Sequence, residues 1–126
     1  MRRAAKPALA CLATLALAGC ASTPQEIVQQ GPRSEHTLQL PPFRAAGCIA
    51  RNAENLVDSI NAPIRPLESG ERYEVVIRSI GNDLYPILLI GILEPMGNGS
   101  RVTFHGPGYR VSPPRHEFIA SLAKGC

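Results

Sequence analysis

The chain has 126 residues, enough for one small domain and little more. Thirteen Lys and Arg against ten Asp and Glu give a formal charge of +3, and Arg2, Arg3 and Lys6, all before position 20, carry the whole excess. The remainder is balanced, which excludes the basic footprint of a nucleic-acid-binding protein and leaves no acidic or basic tail. With 5% aromatic residues and no Trp, the chain has little material for a deep aromatic-lined substrate pocket.

Residues 1–18 have the layout of a secretory signal: a basic start, an apolar run from Ala8 to Ala18, and small residues before a processing point. The run is too short to remain in a bilayer as a spanning helix. It ends in Leu17-Ala18-Gly19-Cys20, which resembles the lipobox of bacterial lipoproteins in full: an aliphatic residue, a small residue, Gly or Ala, then Cys. The resemblance covers the leader alone. It implies that Cys20 accepts a diacylglyceryl group through its thiolate, that residues 1–19 are removed as signal peptide, and that the new amine is acylated. One acyl chain holds a protein marginally, at about 0.8 kcal/mol per buried methylene, whereas two or three make release negligible. In enterobacterial lipoproteins an Asp after the cysteine favours the inner membrane. Ala21 and Ser22 stand there instead, so the resemblance implies a periplasm-facing protein of the outer membrane.

Cys11 leaves with the leader and Cys20 is consumed by lipid, so the body keeps Cys48 and Cys126. In an oxidising compartment two thiols in a small domain are most simply read as one disulfide. Its long loop gives a chain-entropy contribution of about 4–5 kcal/mol before strain, a large part of the stability of so small a fold. The alternative is a metal-binding or reactive thiol pair, although neither cysteine lies in a CxxC or beside a histidine.

Residues 20–42 mix Pro, Gln, Ser and Gly with few large apolar groups and read as an acylated cysteine followed by a flexible tether, spanning about 25 Å root-mean-square as a coil. Thr37 to Leu40 alternates weakly and offers an edge strand as a second reading. Residues 43–126 form the expected domain. Ile49, Ala53, Leu56, Val57 and Ile60 recur at helical spacing, with Arg51, Glu54, Asn55 and Asp58 opposite, so residues 45–60 are predicted helical. Asn61 to Gly70, with its prolines, is predicted to be a connecting loop.

Three strands are expected next. Arg72 to Ile80 alternates Tyr73, Val75 and Ile77 with Glu74, Val76 and Arg78, and Gly81-Asn82-Asp83 marks a turn. Residues 86–93, PILLIGIL, are apolar on both faces and suit a central strand, with Gly91 suggesting a bulge or a close backbone approach. Met96-Gly97-Asn98-Gly99 signals a hairpin, and Ser100 to His105 follows with Val102 and Phe104 on one face. Gly106-Pro107-Gly108 turns the chain, Ser112 is the expected N-cap and Pro113 the first residue of a last helix, and Phe118, Ile119 and Leu122 form its apolar side. Short connections make an antiparallel meander the economical topology. The expectation is a small two-layer α+β sandwich, α-β-β-β-α, with a three-stranded meander and two helices on one face.

Chemistry-bearing patterns are sparse. His36, His105 and His116 lack the spacing of a zinc site. No nucleophile elbow or spaced carboxylate pair stands out, and Gly97-Asn98-Gly99 is followed by neither a lysine nor a helix. Catalysis and cofactors are therefore not expected. If both helices cover one sheet face, Val76, Arg78 and Ile80 lie on the other, next to PILLIGIL and rimmed by Glu74 and Arg101. That is a candidate partner face, unless Leu38 and Leu40 of the tether fold over it or two copies pair through it. The sequence thus points to a lipid-anchored envelope protein that binds a partner (an envelope protein, peptidoglycan or a second copy) or associates structurally. An inhibitor-type module would differ only in its partner. The competing reading is a small accessory enzyme or metal carrier using His105 or His116.

Overall fold

The computed structural model describes residues 23–29, 34–68, 70–81, 87–106 and 116–126. The expected acylation point Cys20, the Asn82-Asp83 turn, the Pro107-Gly108 turn and the Ser112-Pro113 helix start lie outside them. In chain order the elements are α1 (Pro24–Gln29), β1 (Ser34–Leu38), α2 (Pro42–Leu56), β2 (Ile60–Asn61), β3 (Ile64–Pro66), β4 (Tyr73–Ser79), β5 (Ile87–Met96), β6 (Gly99–His105) and α3 (His116–Ala123).

The fold is α+β. A six-stranded antiparallel sheet has the order β1-β6-β5-β4-β2, with β3 also on β4. The expected meander is the middle of this sheet, β4-β5-β6, and the apolar strand β5 lies at its centre. Three strands and one helix more than expected complete it. β2 straddles the expected end of the helix and β3 lies in the segment 61–70 read as loop; both are too short to show periodicity, and Pro66 sits in the latter as proline can at a sheet edge. The segment 20–42, read as a flexible tether, holds α1 and the edge strand β1. The latter is paired from Ser34 opposite Phe104 to Leu38 opposite Ser100.

The two sheet faces follow from the register. Tyr73, Val75 and Ile77 of β4 align with Leu93, Gly91 and Leu89 of β5. Gly91 and Leu93 align in turn with Phe104 and Val102 of β6, so these residues share one face. Onto it pack Ala45, Ala46, Ile49, Ala50 and Ala53 of α2 and Ile119 and Leu122 of α3, closing the main core. The small side chains let α2 lie close to the sheet. At Gly91 the close approach comes from Phe104: a Cβ there would sit 3.2 Å from its Cε1. The register irregularity lies on β4, between Ile77 and Arg78.

The helical stripe differs from expectation at its end. Pro42 is already inside α2, at its first turn, and the helix stops at Leu56. Val57 is extended and Ile60 belongs to β2, opposite Ser79. Leu56 and Val57 are exposed, so the buried stripe is the alanine-rich one. The β5–β6 hairpin closes over Gly97 and Asn98, with Met96 opposite Gly99; Gly97 takes the positive φ of +59° that the first position of such a loop demands of glycine.

Cys48 on α2 is bonded to Cys126, with 5.8 Å between their Cα atoms, and this staples α3 and the segment after it to α2. Asn52, one turn on, donates its side-chain amide to the carbonyls of Leu122 (2.8 Å) and Lys124 (3.0 Å), satisfying groups that a helix end leaves unpaired. The Leu40 amide donates to the Cys126 carbonyl at 2.9 Å.

Candidate interaction face

The second sheet face is built around α1. Thr23 stands at its N-terminus as a capping residue: the Glu26 amide donates to Thr23 Oγ1 at 3.3 Å and the Thr23 amide donates to Glu26 Oε2 at 3.1 Å. This reciprocal pair is a capping box, and Pro24 fills the first helical position, where a missing N–H costs nothing. The six-residue helix could not stand alone in water. Its anchor is Ile27, fully buried and grouped with Val76 of β4 and Ile87, Ile90 and Ile92 of β5, with Val28 and Leu67 at the margin.

Next to α1 the sheet buries a charge. Glu74 is only 5% exposed and lies opposite Arg65 in the β3–β4 ladder, whose Nη2 meets Glu74 Oε1 at 2.9 Å. The pair separates two shallow cavities. One, of about 500 Å3, lies among Gln25, Val28, Leu67, Arg72 and Ile92; the other, of about 230 Å3, among Pro24, Pro63, Val76 and Arg78. Arg65 and Glu74 line both. Glu74 is committed to Arg65, so the arrangement offers a charged, ridged surface for contact instead of a free acid or base.

The sequence-derived partner face is therefore divided. Val76 is buried beneath α1, which corrects its expected exposure, while Arg78 is exposed and Ile80, just past the end of β4, is 60% exposed. The cover is Ile27, and neither Leu38 nor Leu40 supplies it: Leu38 joins the main core and Leu40 packs against that same core. Glu74, expected at the rim, is buried. Arg101 is paired with Glu94 at 3.8 Å on the half of the face toward β1.

The histidines do not converge. His105, read as a tip residue for the competing metal or enzyme reading, is buried at 7% exposure and aligned with Ile90. His36 lies edge-on to Phe104, ring centroids 5.8 Å apart, with Ser34 Oγ 3.3 Å from its Nε2. His116 opens α3, and its side chain lies outside the described residues. Among the described residues no group of three or more His, Cys, Asp or Glu is placed to hold a metal ion.

Sequence reasoning missed Ile27, Thr23, Glu26 and Arg65. The first three carried a readable signal: Thr23-Pro24-x-Glu26 followed by Ile27-Val28 is a capping box ahead of apolar residues. Arg65 had none, because its role depends on a strand of three residues. Compared with known proteins, the chain matches no family model, no curated protein and no solved structure, so function is argued from its own residues.

Proposed function

We propose that this protein is a bacterial lipoprotein, anchored through acyl chains on Cys20 in the outer membrane and facing the periplasm, whose folded body acts by binding or structural association and not by catalysis. The carrying observation is Leu17-Ala18-Gly19-Cys20 at the end of a basic-then-apolar leader. A disulfide between Cys48 and Cys126 is in keeping with an oxidising compartment. The reading of the body as a contact module draws on its exposed large apolar side chains, Phe43 at 63% and Leu56 and Val57 at the other end of α2. The partner classes are another envelope protein, peptidoglycan or a second copy of the chain; nucleic acid is not among them.

Intact mass of the protein isolated from a bacterial envelope tests the anchor. The expected product begins at Cys20, carries diacylglyceryl and acyl mass, and loses both modification and membrane association in Cys20→Ala. A product that begins elsewhere or carries no lipid ends the proposal. In-cell crosslinking with mass spectrometry then identifies the partner. Bound metal in stoichiometric amount in the purified body would favour the carrier reading instead.

A further inference from the structure

The anchoring point and the first folded residue are very close in the chain. Thr23, which caps α1, is three residues after Cys20, and three residues span at most about 11 Å however they are arranged. Because Ile27 fastens α1 to the sheet, the folded body begins there and not after position 42. A body of this size has a radius of gyration of about 13 Å, hence an overall radius of roughly 17 Å. A leash shorter than the radius of the object it holds restricts orientation: the attachment point cannot rise even to the equator, so it stays on the membrane-facing half.

We infer that the α1-bearing side of the sheet lies against the lipid headgroups, with α2 and α3 turned away from the bilayer. This rests on the anchoring reading above. The surface offered to the lipid holds Gln25, Glu26 and Gln29 of α1, with Arg65 and Arg78 beside Pro24. It is mainly polar and of mixed charge, with the exposed Ile80 beside Arg78, and so suits lying among headgroups with one apolar side chain in contact. The surface left for a periplasmic partner is then the far side, where Phe43, Leu56 and Val57 are exposed on and just after α2. The lipid-facing side and the exposed apolar side chains at the two ends of α2 are thereby placed on opposite sheet faces by one six-residue helix.

The chain contains no Trp, so a single introduced Trp reports its own position. Acylated Gln25→Trp and Arg51→Trp variants, both at exposed positions, are reconstituted in phosphatidylethanolamine–phosphatidylglycerol vesicles carrying a headgroup-labelled quencher lipid. Most of the emission at position 25 is expected to be lost and that at position 51 retained. A Gly-Ser insert of about 20 residues between Ala21 and Ser22, about 25 Å root-mean-square, is expected to restore the emission at 25 with the protein still on the vesicles. Vesicle-bound protein quenched at neither position, or equally at both, would overturn the orientation while leaving the anchor standing. Protein without lipid mass that stays off the vesicles would overturn both.

Discussion

The two faces of the sheet are covered in contrasting ways. On one, α2 and α3 contribute to a cluster of seventeen buried residues, joined by a disulfide and by the Asn52 contacts. On the other, among the described residues, the four buried apolar residues Val76, Ile87, Ile90 and Ile92 depend on α1, held by Ile27 and a capping box. The first is a core with redundant closure. The second is closer to a latch, whose opening exposes Val76, Ile90 and Ile92 without disturbing Phe104 or Leu122. Unequal cover makes the faces separable in stability: the α1 side is expected to open locally at a fraction of the global unfolding free energy.

The largest test of that contrast removes the staple. A Cys48→Ala, Cys126→Ala double variant is expected to lose up to about 4.5 kcal/mol, the chain-entropy value for the 78-residue separation, read as a lower urea midpoint. Phe104→Ala, in the main core beside Gly91, is expected to cost about 3–5 kcal/mol in the same measurement. Ile27→Ala should cost less, about 2 kcal/mol, because α1 can undock and cap the loss. Its signature is dye binding at the bared isoleucines of β5 and faster amide exchange confined to α1. An Ile27→Ala variant that loses as much as Phe104→Ala, in one cooperative transition, would show that the two faces form a single unit. The smallest effect belongs to Thr23→Ala, about 1 kcal/mol from the lost cap, with the same confinement.

What was legible in the sequence follows the same division. The main core could be read because its signals are periodic: the alternation of Tyr73, Val75 and Ile77, the doubly apolar run around Gly91, and the paired thiols. The α2 stripe was read one turn too far, since Leu56, Val57 and Ile60 continue the helical spacing while Asp58 and Ser59 break the chain into a turn. The other face escaped because its cover is short and polar in composition. Ser34 to Leu38 is a half-exposed edge strand whose partners lie 62 to 70 positions away; the weak alternation of Thr37 to Leu40 gave an edge strand as a second reading, but not its partner. The α1 segment looked like linker by composition, yet Thr23 and Glu26 carried the capping grammar that composition hides. Val76 was placed on the correct face but assigned to solvent, because the residue that shelters it sits in that segment.

Asn52 is a second fastening at the place where the sulfurs meet. Its amide holds the carbonyls of Leu122 and Lys124 through non-covalent contacts of its own, so the end of the chain has a tie to α2 besides the sulfur link.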